Sequence, residues 1–172
     1  SNIAKVLHRA GGRALVEHVV RTALEVAGPE RVFVVVGYQA ETARALLRPY
    51  GVQFIEQREQ LGTGHALMVG REQLAGVAPH LLVLYGDTPL LTAATLRQLL
   101  EAHREAGTAA TLLTAELEDP AQYGRILRDG DGQLADIVEY KCCTPEQLAI
   151  REINTGIYCF RAAALFAHIG RL

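Results

Sequence analysis

Gln60-Leu61-Gly62-Thr63-Gly64-His65-Ala66 and, one predicted strand further on, Leu84-Tyr85-Gly86-Asp87-Thr88-Pro89-Leu90-Leu91 decide how this chain is read. In the first stretch two glycines flank a threonine where an apolar strand gives way to a helical pattern. In the second, an apolar strand ends in a lone aspartate on a tight turn. Both lie at the carboxyl ends of predicted strands, where open α/β sheets bind ligands. The layout sets a backbone able to read a base or a phosphate beside a carboxylate able to hold a metal.

Working outward, Arg13 to Val26 carries Leu15, Val16, Val19, Val20, Ala23 and Leu24 at the spacing of one helix face. Gly28-Pro29 closes that helix. Arg31 to Val36 is a continuous β-branched run ended by Gly37, the pattern of a strand buried on both faces of a parallel sheet. Helices are expected over 39–48, 64–74 and 92–106, the last capped by Thr92, and strands over 52–55 and 81–84. This alternation predicts a layered α/β sheet with right-handed crossovers. Beyond Gly107 the pattern turns to strands, over 108–117, 133–138 and 153–160, with a hairpin turn at Asp129-Gly130-Asp131-Gly132. A helix follows over 161–169. The β-rich segment is expected to form one wall of a cleft over a mostly parallel central sheet.

Composition narrows the class. The 172 residues suit one domain or the larger part of one, and 49% hydrophobic residues supply a packed core. Net charge is −2 with no basic block, and aromatic content is 6% without tryptophan, which argues against nucleic acid and anionic membranes as partners. No apolar run approaches the roughly 20 residues of a membrane span. Cys142, Cys143 and Cys159 fit neither a zinc spacing nor a disulfide framework. Without a signal peptide, they point to free thiols in a reducing cytoplasm. The chain opens at Ser1 without methionine and stops at Leu172 within or just after a helix, so it is expected to be a piece of a longer protein.

The candidate residues each carry two readings. Gly62-Thr63-Gly64 either cradles a ligand with its backbone and the following helix start, or is an ordinary capped connection. Thr63 can add a hydroxyl and an N-cap. Asp87 either holds Mg²⁺ together with substrate phosphates or caps the turn that follows it. Lys5 meets a phosphate as a point charge or is a solvated lysine. Glu139 and Asn154 bond sugar hydroxyls or an amide, or are polar residues at strand ends. His65 has no serine or cysteine partner and reads as structural.

Together these segments resemble the uridylyltransferase domain of the bacterial bifunctional N-acetylglucosamine-1-phosphate uridylyltransferase/glucosamine-1-phosphate acetyltransferases. The matching pieces are Lys5-Val6-Leu7-His8, Gln57 with Gln60 to Ala66, Leu84 to Leu90, Tyr123-Gly124-Arg125-Ile126, Ile137-Val138-Glu139-Tyr140-Lys141 and Glu152-Ile153-Asn154-Thr155-Gly156-Ile157. They run in register over essentially the whole chain. The resemblance implies a layered, Rossmann-like nucleotide-diphospho-sugar transferase fold. It implies that Gln57, Gly62 and Thr63 contact uracil, that Lys5 meets the phosphates, and that Tyr85, Gly86 and Asp87 line the middle of the site. Asp87 would also bind Mg²⁺, and Gly124, Glu139, Asn154 and Thr155 would hold the N-acetylglucosamine. The chemistry implied is attack of the sugar-1-phosphate on the α-phosphorus of UTP, giving UDP-N-acetylglucosamine and pyrophosphate for cell-wall precursors. Lys5 and Asp87 are the implied catalytic residues.

The family's glycine-rich signature loop and the first strand that carries it would lie ahead of Ser1. Its second metal ligand and its trimerising β-helix acetyltransferase domain would lie beyond Leu172. The 172 residues are therefore read as a partial nucleotidylyltransferase domain that binds nucleotide weakly and turns over poorly by itself. The metal could be Mg²⁺ or Mn²⁺, since one carboxylate discriminates little. Two other activities fit the same residues: a different sugar-1-phosphate nucleotidylyltransferase or glycosyltransferase, and a non-catalytic nucleotide-binding domain.

Overall fold

The computed structural model describes residues 3–171; Ser1, Asn2 and Leu172, on which part of the reading of the chain's ends rests, lie outside the described residues. A 3-10 turn at Lys5–Leu7 leads into a small hairpin of β1 (Arg9–Ala10) and β2 (Arg13–Ala14). There follow α1 (Leu15–Leu24), β3 (Phe33–Val36), α2 (Ala40–Leu47), β4 (Gln53–Glu56), α3 (Thr63–Val69), α4 (Arg71–Leu74), β5 (His80–Val83) and α5 (Ala93–Ala106). The second half holds β6 (Ala110–Glu116), β7 (Arg125–Arg128), β8 (Leu134–Val138), α6 (Pro145–Leu148), β9 (Glu152–Arg161) and α7 (Ala162–His168).

The expected alternation through residue 106 is present, and Thr92 caps α5 by accepting from the Thr95 amide at 3.2 Å. The expected helix over 64–74 is broken at Gly70 into α3 and α4. Residues 129–133 close the β7–β8 hairpin, the Asp129 carboxylate accepting from the amides of Asp131 and Gln133.

Among the strands of the described residues, parallel pairing is confined to β3 and β4, from Phe33 opposite Gln53 to Val36 opposite Glu56. The remaining ladder is antiparallel because β9, returning after the β7–β8 hairpin, runs back between β5 and β6. The β-rich segment is thus continuous with β5 through β9. Alternate residues of β3 and β4 face opposite layers, as the period of a strand requires. Val34 and Phe54 join Val16, Val20 and Leu47 under α1 and α2, whereas Phe33 and Ile55 meet Phe166 and Ile169 of the C-terminal helix. Leu96 and Leu99 of α5 pack on Ile157 and Cys159 of β9. The three cysteines are free, and burial pushes the Cys159 thiol up to about 11. No helix among the described residues is long and apolar enough to cross a membrane.

β3 and β5 are not bonded to each other, and a cleft of about 910 Å³ runs between them. Val34, Val36, Leu82 and Leu84 line its apolar part, and Lys5, Gln57, Thr63 and Tyr85 line its polar end.

His103 of α5, 1% exposed, is bonded through Nδ1 to the Thr111 hydroxyl at 2.9 Å, with His80 edge-on at 5.0 Å. Burial first, then the charges of His80 and Arg161, holds its imidazole below the ordinary 6.5. The unfolded chain therefore takes up a proton that the native state refuses, so stability is full above that value and falls as pH drops below it. Thermal unfolding followed from pH about 7.5 down to about 5.5 should show a falling midpoint, and the slope should be shallower in His103→Asn. An equal slope in both proteins would show that His103 does not carry the effect.

Candidate active site

The site begins with a defect in β9. Leu113 of β6 stands opposite Ile157 and Thr114 opposite Asn154, so Thr155 and Gly156 bulge out of the ladder. Local bonds fix the bulge. The Asn154 side-chain oxygen accepts from the Gly156 amide at 2.9 Å, and the Thr155 hydroxyl donates to the Leu113 carbonyl at 2.5 Å. Bulges of this kind re-aim side chains beside functional sites. Along the same edge of β9, β5 pairs only as far as Tyr158 and β7 begins at Ile153. The two strands part across Asn154–Ile157 and leave a crevice over the bulge.

Tyr85 enters that crevice directly after β5. A side chain at Gly156 would stand 1.8 Å from Tyr85 Cε2, and Gly156 has φ +74°, so both space and backbone call for glycine. Tyr85 Oη meets the Thr63 hydroxyl at 3.2 Å, which ties β9 to the α3 side of the cleft. Gly86 lies against Val6, whose Cγ1 would be 3.1 Å from a Cβ there, and this approach brings the Lys5 turn alongside. Lys5 Nζ reaches Asp87 Oδ2 at 2.6 Å; the lysine side chain is 81% exposed and the aspartate 25%. The hydrogen bond that Lys5 donates to Asp87, and then the charge of Asp87, hold the Lys5 ammonium above its ordinary value. The turn after Asp87 is capped by Thr88, whose hydroxyl donates to the Tyr85 carbonyl, so the aspartate is left to face Lys5.

On the α3 side, Gly62 rather than Thr63 is the N-cap, with φ +102°, and it receives no side-chain capping bond. The threonine hydroxyl expected as a cap is spent on Tyr85 instead. Gln57 directs its amide nitrogen at the Gly62 carbonyl (3.1 Å) and at His65 Nδ1 (3.0 Å). Both amide protons are used within the loop, and the amide oxygen is the atom left to accept from a ligand. His65, expected from the sequence to be structural, accepts this bond and so helps orient Gln57.

On the far side, the Asn154 amide donates to the Gly124 carbonyl at 2.9 Å, and Asn154 Nδ2 donates to Tyr158 Oη at 2.7 Å. Glu139 Oε1 lies 3.6 Å from where a Gly124 Cβ would be. A methyl would fit there at ordinary contact distances, so packing alone does not ask for glycine. The candidate residues thus lie in one neighbourhood. Gln57, Gly62, Thr63 and Tyr85 are linked by contacts, and Tyr85 packs on Gly156, which Asn154 bonds. Asn154 bonds Gly124 with Glu139 beside it, and Gly86, Asp87 and Lys5 lie alongside Tyr85. The sequence reading did not assign Gly156, Tyr158 or Arg125 to this assembly; only the glycine inside a strand pattern was a usable signal.

A crevice at the carboxyl ends of strands, lined in this way, defines a nucleotidyltransferase-type domain. The MobA-like NTP transferase domain family matches residues 2–150, and the chain belongs to that family. Over 172 residues it is 55% identical to the "Bifunctional protein GlmU" of Solibacter usitatus, and over 166 residues 51% identical to that of Pelotomaculum thermopropionicum. It spans 37% and 36% of the length of these curated relatives. The fold is shared with CMP:2-keto-3-deoxy-manno-octonic acid synthetase complexed with CTP (TM-score 0.73, 20% identity, 98% of this chain and 71% of that one). It is shared also with a putative glucose-1-phosphate thymidylyltransferase from Bacillus anthracis (TM-score 0.78, 18% identity, 98% and 66%).

Gly156→Ala is expected to push Tyr85 off the bulge and to force a left-handed alanine, together costing roughly 1–3 kcal/mol. Thermal unfolding should register a drop of several degrees, and loss of the Tyr85 contact should appear as a shift of its ring resonances. An unchanged midpoint and unchanged resonances would show that the bulge tolerates a side chain.

Proposed function

We propose that this chain is the nucleotide-transferring part of an N-acetylglucosamine-1-phosphate uridylyltransferase, moving UMP from UTP to the sugar phosphate and releasing pyrophosphate. The observation that carries the reading is the run of contacts from Gln57 and Thr63 through Tyr85 and Gly156 to Asn154 and Gly124, with Glu139 beside Gly124 and the Lys5–Asp87 pair alongside. With both Gln57 amide protons held inside the loop, its oxygen suits the N3–H of uracil and opposes the bare N3 of cytosine. Asn154 and Glu139, across Gly124, offer a mixed donor and acceptor set for sugar hydroxyls and an acetamido group. Such transfers need alignment and charge neutralisation more than covalent help.

Among the described residues no group of three or more His, Cys, Asp or Glu could hold a metal. A single carboxylate fits Mg²⁺, which keeps waters and takes one or two carboxylates together with substrate phosphates. Asp87 would hold it, and the ion would supply neutralisation of phosphate charge. Lys5, on an exposed stem beside Asp87, would contact the phosphates directly, and Tyr85 would separate the nucleotide from the sugar. UTP and N-acetylglucosamine-1-phosphate are then the substrates and UDP-N-acetylglucosamine the product, a cytoplasmic precursor of the cell wall. The longer protein would be a homotrimer built on an acetyltransferase β-helix.

The open cleft between β3 and β5 supports a further part of the reading, that 1–172 is a partial domain whose sheet is completed by one more strand. By itself the chain would bind weakly and turn over slowly.

Calorimetric titration of UDP-N-acetylglucosamine with Mg²⁺ tests this, against UDP-glucose and against Asp87→Ala. Loss of one or two hydrogen bonds to the acetamido group should weaken UDP-glucose roughly 3- to 10-fold, and Asp87→Ala should weaken both ligands. Equal affinity for the two sugars would remove the N-acetyl assignment. Silence with both, persisting in a chain extended by the family's first strand and loop, would remove the enzyme reading.

A further inference from the structure

Beneath the sugar-side wall lies a buried cation that none of the roles above employs. Arg125, the first residue of β7, is 3% exposed, and none of the ion pairs among the described residues includes it. Its guanidinium donates to the Tyr123 carbonyl through one terminal nitrogen and to the Ala121 carbonyl, at 3.2 Å, through the other. It lies 5.9 Å over the Tyr140 ring. Its Nε is buried and unbonded. Burying a charge without a carboxylate is expensive, and an apolar side chain of similar volume would fill the space more cheaply.

What the arginine does there is join two segments distant in sequence. Ala121 holds a left-handed backbone at φ +44°, which the bond to its carbonyl stabilises. The carbonyls of Ala121 and Tyr123 set the approach of the chain to Gly124, whose own carbonyl receives the Asn154 amide. Tyr140 follows Glu139, which caps the 3-10 turn Tyr140–Cys142. One planar fork therefore fixes the Gly124 loop from below and the Glu139 turn from the side.

We propose that Arg125 is a positioning residue for the sugar-phosphate half of the site, holding Gly124, Glu139 and Asn154 in register without touching the ligand. This rests on the uridylyltransferase reading for its ligand, but the clamp itself does not. Lysine keeps the charge and cannot reproduce the fork. Arg125→Lys and Tyr140→Leu serve as separate tests, the second at a 40% exposed residue whose replacement leaves the buried cation in place.

In the free chain, amide hydrogen exchange over 121–125 and 139–142 should quicken about tenfold or more in either variant, with α1 and β3 unaffected. Unchanged exchange in those two segments would overturn the proposal. With ligand, Arg125→Lys should weaken UDP-N-acetylglucosamine about tenfold while UDP stays within about twofold. A merely structural residue would lower the bound fraction of both ligands alike, and that result would also overturn it. If the unaltered chain binds UDP-N-acetylglucosamine no better than UDP, the sugar assignment fails, and the clamp is judged on the exchange result alone. Should Arg125→Lys not fold, Tyr140→Leu carries both readouts.

Discussion

The two-residue bulge of β9 is the constraint on which the site depends. Without Thr155 and Gly156 displaced from the ladder, β5 and β7 would continue along one edge of β9 and no crevice would open. The bulge is paid for locally by the Asn154 and Thr155 side chains, which take over backbone bonds that the ladder has lost. It also sets the position of Tyr85, because only glycine at 156 leaves room for the ring. Tyr85 in turn reaches Thr63, so a distortion in the C-terminal strand is felt at the loop after β4. Sequence, backbone and site are linked here through sterics rather than through any strong bond.

The Lys5–Asp87 pair has a different purpose. Exposed ion pairs contribute little to stability, and a lysine that is 81% exposed is screened by water. A short contact of small net worth leaves the lysine head in water, so the fold does not depend on the pair. The buried His103, edge-on to the half-buried His80, shows the opposite regime. There burial dominates, the imidazole is held neutral, and the contact serves the packing of α5 on β6.

Much of this was legible in the sequence where the signal was local. The Thr92 cap, the Asp129–Gly132 turn and the apolar runs of β3 and β5 each depend on neighbours within a few positions, and each appears where the pattern puts it. The candidate residues were chosen from their motifs, and the fold brings them near one another. Less legible were features that arise from contacts across the fold. β7 is four residues long and has too little alternation to announce itself. The break at Gly70 looks from sequence like a tolerated glycine in a helix. Gly156 answers to Tyr85, 71 positions away by subtraction of their numbers, and nothing near it in sequence states that demand. The antiparallel return of β9 is likewise invisible until β7 and β8 are known to form a hairpin.

The architecture divides the site between two bodies of sheet. Gln57, Gly62 and Thr63 follow β4, which pairs with β3 alone, whereas Tyr85, Gly124, Glu139 and Asn154 belong to the ladder around β9. Several links hold these bodies in relation, among them the Thr63–Tyr85 hydroxyl pair, the bond from the Thr22 hydroxyl of α1 to the Leu91 carbonyl, and the C-terminal helix, which leaves β9 and packs Phe166 onto Ile55 of β4. A hydroxyl pair of this kind contributes only about 1 kcal/mol, so apolar packing outweighs it in the alignment. The apolar cleft between β3 and β5 is where the two bodies would otherwise be hydrogen-bonded into one. A strand seated there would bond to both free edges and cover the half-buried Val34, Leu82 and Leu84 at about 25 cal/mol per Å² of apolar surface. It would add a continuous hydrogen-bonded sheet to side-chain packing as the means by which the two sides of the crevice keep their spacing.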